Sequence, residues 1–398
     1  MADHSQAVDT EISSLSETQD KILSLLPVFS AALSIWGSAN IIWMVIKSDK
    51  KTTYRRILLG LSCSDLISSL VIPWQAFLFP KDTSQRIWAI GTDATCTAIG
   101  FFQQFSFANV WYYAMLSFYF LMVVRMGVQE RVMAKKYEKW MHLLSIGYPL
   151  ITAFVGAVLG VYHETEIGHG CYVNDYPDGC GSDQGEARCL SIYIAYVFGG
   201  IPIFLALVSI IINNVIIYKH VRTTIRQSQA YVRSSLTAAS TVSFGPSSRK
   251  ERQDPQDRRI QAVAVQAMLY VVCFLVTYSS SVCLKILESQ SYDAVDEDRL
   301  FPLLVLQAIF LPLSGFFNCL IYVRPSYLRA REEFPEESRL WHFRRALHGA
   351  NVQPTDEPSD RAETEKEAVS EMVHVENSGA NDTTHGGTEA FEEEHALG

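Results

Sequence analysis

The chain reads as an all-α membrane protein, a bundle of seven transmembrane helices, and three observations predict it. Seven apolar stretches of helical length recur along it. Only 19% of its 398 residues are charged, while 48% are hydrophobic. Its Lys and Arg residues gather in alternate loops. A helix rises ~1.5 Å per residue, so about 20 residues cross a ~30 Å hydrocarbon core. The stretches that qualify span residues 22–46, 57–79, 98–124, 140–161, 190–218, 261–287 and 300–323. A buried helix of a soluble protein imitates one such stretch, not seven flanked by charge.

Residues 1–20 are acidic and polar, without the basic leader and apolar core of a signal peptide. The stretch at 22–46 is therefore expected to act as the insertion signal. After it come Lys47, Lys50, Lys51, Arg55 and Arg56; after the third stretch come Arg125, Arg131, Lys135, Lys136 and Lys139. The intervening loops are poor in bases and carry acids such as Glu164, Asp175, Asp183, Asp293 and Glu297. Basic residues in short loops face the cytosol, so the N-terminus is expected outside and the C-terminus in the cytosol. Residues 1–20 then form an extracellular segment, 21–331 the seven-helix domain, and 332–398 a cytosolic tail. The net charge of −9 divides unevenly: residues 1–20 carry −5, residues 332–398 carry −12, and the remaining domain carries +8.

The segment 219–259 is long, basic and rich in Ser and Thr, with Gly245-Pro246 and Asp254-Pro255. It reads as a mobile, solvated loop whose Ser234, Ser235, Ser240, Ser247 and Ser248 are phosphorylation candidates. Pro325 predicts a break after the last span. Residues 326–348 mix aromatics with charges and predict a short amphipathic helix on the membrane. Beyond 349 the acidic, Gly-, Ser- and Thr-rich composition predicts disorder. No internal repeat is visible.

Of the eight cysteines, Cys63, Cys273, Cys283 and Cys319 fall within predicted helices as packing residues. Cys96, Cys171, Cys180 and Cys189 fall outside them, where an oxidising compartment permits bridges. Four cysteines allow three connectivities. A Cys96–Cys171 bond would tether the loop between spans four and five over the bundle mouth, leaving Cys180–Cys189 to close a small ring; Cys96 with Cys180 or Cys189 is the alternative.

A charge inside hydrocarbon costs ~2.5–3.5 kcal/mol on insertion scales and needs a partner or a role. Asp65 lies eight residues into its span, ~12 Å deep, and Asn40 and Asn318 lie ~8–9 Å deep in theirs. The three are expected to meet at one level, either as a network that rearranges or as a static clamp. At the other end, Gln103, Gln104, Phe107, Lys285 and Gln307 are candidates to line a ligand pocket. For Gln103 and Gln104 the alternative is interhelical hydrogen bonding, and Lys285 could equally snorkel to the headgroups.

Several motifs resemble those of G-protein-coupled receptors, and more narrowly the cyclic-AMP-receptor-like branch (class E, the slime-mould type), with some rhodopsin-like features. They are Gly37-Ser38-Ala39-Asn40, Leu61-Ser62-Cys63-Ser64-Asp65-Leu66, the run Cys96…Gly100-Phe101…Gln104-Phe105…Trp111, and Pro312…Gly315-Phe316-Phe317-Asn318…Tyr322. The resemblance covers residues 21–331. It implies an inner polar network of Asn40, Asp65, Asn318 and Tyr322, and an outer bridge from Cys96 to a loop cysteine. It also implies a receptor that senses an extracellular ligand and activates a heterotrimeric G protein from the plasma membrane. G-protein contacts are expected at Arg125, Arg131, Arg222, Arg226, Arg258 and Arg259, with arrestin-like or kinase partners beside them. The departures are specific. The Asp-Arg-Tyr motif is missing, Glu130-Arg131-Val132 lies about ten residues too far from Cys96, the sixth span lacks a proline, and Cys319 replaces the proline of Asn-Pro-x-x-Tyr. Cyclic AMP does not carry over, since acidic outer loops disfavour an anion.

Other classes fit less well. A retinal protein needs a lysine in its last span, and 300–323 has none. An intramembrane hydrolase needs a metal or a carboxylate pair, but His142, His163, His169 and His220 lack ligand spacing. No enzyme, cofactor, metal or nucleic-acid partner is expected. A seven-helix transporter or a non-coupled membrane scaffold are the alternatives.

Overall fold

In the computed structural model of the chain, the described residues are 15–49, 51–81, 88–165, 170–174, 190–239, 255–290 and 297–349. Six helical segments among them are long and apolar enough to cross a membrane, and a bent pair makes a seventh if it counts as one span. The chain is a multi-pass helical membrane protein. Its lipid-facing side is visible as large apolar residues left on the surface, among them Phe29, Trp43, Phe204 and Val272.

Helix α1 spans Glu17–Lys47, five residues earlier than hydropathy places it. Ser16 starts it: its hydroxyl accepts from the Gln19 N–H, and the Gln19 side chain accepts from the Ser16 N–H at 2.7 Å. That reciprocal cap fixes two donors that the first turn leaves open. Helix α2 spans Thr53–Val71 and is capped by Thr52; a 3₁₀ turn at Ile72–Trp74 follows, around Pro73. The third span is two helices, α3 (Asp93–Phe105) and α4 (Ala108–Val124), joined through Ser106 and Phe107. Next come α5 (Glu130–Val132), a π turn and α6 (Glu138–Leu159). Gly160 ends α6 at φ 66°, a left-handed conformation that costs glycine little. The strands β1 (Tyr162–Glu164) and β2 (Cys171–Val173) then pair antiparallel as a short hairpin.

Helix α7 (Leu190–Ala195), a π turn (Tyr196–Gly200) and α8 (Ile201–Ala239) make the fifth span. Helix α9 runs Pro255–Gln290. The segment expected as a loop is thus helical over its first part: α8 continues past residue 218 to Ala239, and α9 begins before residue 261. Helix α10 (Glu297–Phe310) and α11 (Ser314–Glu333) meet at 50° across Leu311, Pro312 and Leu313. The expected break at Pro325 is absent. Proline removes a single ladder bond there and α11 runs on, whereas Pro312 sits where the chain bends. Helix α12 (Arg339–Gly349) folds back on α11, with Ala346 and His342 buried.

The main core joins α1, α2, α4, α8, α9 and α11 around Ile41, Leu61, Tyr112, Leu116, Ile210 and Phe274. Helices α1 and α11 approach most closely at two glycines. A Cβ on Gly37 would lie 2.7 Å from the Gly315 carbonyl oxygen and 2.7 Å from the Phe316 Cα. Only small residues permit such a crossing. Two ends of the bundle follow from this order: a disulfide end with the hairpin, and a basic end where α2 begins and α4 stops.

Candidate functional site

Two-thirds of the way along α2, Asp65 is wholly buried. Its Oδ1 accepts from the Ser314 hydroxyl at 2.7 Å and its Oδ2 from the Asn318 Nδ2 at 2.8 Å. The Asn318 Oδ1 in turn accepts from the Tyr113 hydroxyl at 2.9 Å, and that hydroxyl lies 3.4 Å from the Cys273 Sγ. Four elements, α2, α4, α9 and α11, thereby meet at one carboxylate. Beside it, Ser34 of α1 accepts from the Ser69 hydroxyl at 2.9 Å and from the Gly315 N–H at 3.1 Å. A buried carboxyl with a donor on each oxygen is held in one geometry.

The expected network is therefore partly reassigned. Asp65 and Asn318 meet. Asn40 stands apart, donating to the Trp36 carbonyl of its own helix at 2.7 Å. Its place in the helix explains this: Ser38 and Ile41 face the core, and Asn40 is turned about 100° from Ile41. Tyr322 is buried but belongs to a second cluster, stacked on Tyr54 with ring centroids 6.4 Å apart. Tyr113, Ser314, Cys273 and Ser34 were not anticipated in this role. The recurrence of Asn109 and Tyr113 four apart, on one helix face, was the available signal.

That second cluster lies at the basic end, on the first turn of α2. The Tyr54 hydroxyl lies 3.0 Å from the Tyr270 hydroxyl and accepts from the Gln266 Nε2 at 2.9 Å, both on α9. Its ring also meets Tyr119 and Phe120 of α4. Next to it, the Arg56 Nη2 donates to the Glu138 Oε2 at 2.6 Å, and the Thr53 hydroxyl donates to the same oxygen at 3.0 Å. The Thr53 N–H donates to the Glu130 carboxylate, which also accepts from the Tyr119 hydroxyl at 3.4 Å. Arg55 is fully buried and donates to the Ser48 hydroxyl. Consecutive residues of one turn thus bind α9 and α11, α5, the loop after α1, and α6. Around this hub Arg125, Arg131, Arg222 and Arg226 are all exposed. Arg258 and Arg259 lie in the first turns of α9 and Ser234 and Ser235 in α8, their side chains outside the description; Ser240, Ser247 and Ser248 fall outside the described residues.

At the other end a disulfide joins Cys96 of α3 to Cys171 of β2; Cys180 and Cys189 lie outside the described residues. Beneath it Gln104 is fully buried. Its Nε2 donates to the Thr152 hydroxyl at 2.8 Å and to the Phe198 carbonyl at 3.1 Å, and its Oε1 accepts from the Tyr172 hydroxyl at 2.7 Å. Burial pushes the Tyr172 phenol well above its ordinary pKa, so it stays a neutral donor. The Phe107 ring packs on Tyr172, centroids 6.2 Å apart. Gln103 turns elsewhere, accepting from the Gln75 Nε2 at 2.6 Å. Gln307 donates to the Ser281 hydroxyl at 3.2 Å, and Lys285, one turn beyond Ser281 on α9, is exposed. Of the five pocket candidates, Gln104 and Phe107 share Tyr172, Gln103 pairs with Gln75, and Gln307 binds Ser281 one turn from Lys285. A separate small cavity opens between α4, α8 and α9, lined by Tyr113, Ser117, Phe120, Ile210, Tyr270 and Phe274 among others.

The fold these helices build is rhodopsin-like. The crystal structure of squid rhodopsin matches with a TM-score of 0.55 over 88% of this chain and 90% of that chain, at 16% sequence identity. No protein-family model matches the chain, and no curated protein does.

Proposed function

We propose that the chain is a G-protein-coupled receptor of the plasma membrane, with its N-terminus outside, that binds an extracellular ligand and activates a heterotrimeric G protein. One observation carries this reading. The third span touches all three polar centres: Gln104 under the hairpin, Tyr113 on the Asp65–Asn318 pair, and Tyr119 beside the α2 hub, before ending at Arg125. A single element that bonds at both ends and in the middle can bias a two-state bundle from either side. In this reading the ligand binds at the disulfide end, and the G protein docks against Arg125, Arg131, Arg222, Arg226, Arg258 and Arg259. The Asp65 centre is the switch between them. Phosphorylation of Ser234, Ser235, Ser240, Ser247 and Ser248 would recruit arrestin-like partners by adding negative charge beside Arg233 and Arg249. The motif run from Cys96 to Trp111 supports the cyclic-AMP-receptor-like branch, with a ligand other than an anion.

A diffusible ligand is favoured over a retinal Schiff base, which needs an amine. The bent pair α10–α11 carries arginines and no lysine. The test is nucleotide exchange by purified G proteins on the chain in nanodiscs, across subtypes and ligand pools. Ligand-dependent exchange is expected. Solute flux into liposomes without exchange would overturn the reading in favour of a transporter.

A further inference from the structure

We infer that the lipid-facing side of α6 holds one acidic glycerophospholipid, its headgroup on Lys136 and Lys139 and an acyl chain on the seam below them. The two ammonium groups lie over aromatic rings, Lys136 5.5 Å from the centroid of the half-buried Tyr137 and Lys139 5.3 Å from that of the exposed Trp140. Neither lysine makes an ion pair among the described residues, although Glu138 stands between them, because that carboxylate is bound to Arg56. Two unneutralised cations at the rim of the apolar surface therefore remain to be matched.

The seam beneath follows helical spacing. Trp140, Leu143, Gly147 and Ile151 recur at intervals of three and four, so they stack on one face. Trp140 is 60% exposed, Leu143 59% and Ile151 64%. Gly147 leaves a notch between the two aliphatic side chains: a Cβ added there would meet only the Leu143 Cδ1, at 3.7 Å. From Trp140 to Ile151 the helix rises ~16 Å, about half of a ~30 Å hydrocarbon core, and so the depth of one leaflet. Charge at the rim and a notched apolar seam of one-leaflet length match a lipid with an anionic head.

A second copy of this chain is the competing occupant. Two copies in one membrane share orientation, and a two-fold contact along this seam would set Lys136 and Lys139 against their own equivalents. Like charges disfavour that pairing, whereas an anion is attracted.

The test uses the purified full-length chain in mild detergent, titrated with phosphatidylserine or phosphatidylcholine of identical acyl chains and read by native mass spectrometry. Phosphatidylserine is expected to bind about tenfold tighter. The double variant Lys136→Gln/Lys139→Gln should bring the two lipids close to parity, and Lys136→Arg/Lys139→Arg should keep the preference. Gly147→Leu should weaken phosphatidylserine binding with both lysines in place. Soluble glycerophosphoserine should not compete. Equal binding of the two lipids by the unaltered chain would overturn the inference, as would an unchanged preference in the glutamine variant. Competition by the soluble headgroup would reduce the site to an anion site, and a dimer lost on Gly147→Leu would give the seam to a second copy. Thermal unfolding of each variant separates lost binding from lost fold, and Gly147→Leu decides the matter should the glutamine pair unfold, unchanged phosphatidylserine binding there overturning the inference.

Discussion

Asp65 shows why a single oxygen matters. Both carboxylate oxygens accept, one from Ser314 and one from Asn318. In Asp65→Asn one acceptor becomes a donor: facing Ser314 it forces that hydroxyl to accept and turn its hydrogen elsewhere, and facing Asn318 it forces that amide to flip its Nδ2 toward the Tyr113 hydroxyl. The pairing can be rebuilt, but in a different state. Asp65→Asn should therefore change ligand-dependent nucleotide exchange severalfold with little loss of folded yield, if the chain acts as proposed; a fall in yield with exchange per folded molecule unchanged would make the centre a static clamp. Asp65→Leu has no such repair and leaves two buried donors open, at about 1–3 kcal/mol each. At Gly37 the constraint is space. Gly37→Leu should lower the thermal unfolding midpoint, since overpacking of a tight contact costs about 1–3 kcal/mol or more; an unshifted midpoint would show that α1 and α11 can move apart. Residue depth was legible in the sequence, and Asp65 and Asn318 duly meet. Azimuth was not, because it depends on which side of α1 the neighbours pack, and Asn40 points away for that reason.

At the scale of elements, the first turn of α2 carries more bonds than its composition announces. Tyr54 alone links α2 to α9 through two hydroxyl contacts and to α11 through its ring. If opening of the basic end activates the chain, this turn restrains it. Tyr54→Phe removes the hydroxyl and keeps the rings, so it should raise ligand-independent exchange a few-fold, given about 0.5–1.5 kcal/mol per neutral hydrogen bond. Gln266→Leu should act in the same direction, and basal exchange in reconstituted nanodiscs is the measurement. The extensions of α8 and α9 escaped the sequence reading for a plain reason. Hydropathy detects hydrocarbon, not helix, and a polar helix beyond the bilayer leaves no apolar signal. The bend between α10 and α11 was similarly hidden, since an apolar window averages across Pro312.

For the whole molecule, the six long apolar helices and the bent pair were legible in order, because length and hydropathy are set by the bilayer itself. Sidedness rests on charge alone. Tags at residue 2 and after residue 398 should be accessible on opposite faces of intact cells, the first without permeabilisation and the second only with it; both tags on one face would overturn the orientation and the receptor proposal together. The polar centres were legible as residues but not as partnerships, since tertiary contact chooses among many equally deep hydroxyls and amides.

The fifth span carries one further consequence. Pro202 has no N–H, so the Phe198 carbonyl, four positions earlier, would go without its usual helical partner. The bulge at Tyr196–Gly200 and the side chain of Gln104 accommodate that oxygen. Bulges of this kind hold one surplus residue relative to a regular coil. Deleting one residue between 196 and 200 should thus restore a regular coil while Ile210 and Ile217 keep their places in the core. The same deletion a turn later, in the regular part of α8, has no surplus to draw on: it would turn everything downstream by about 100°, swing Ile217 out of the core and cost the bundle more than most point substitutions within it.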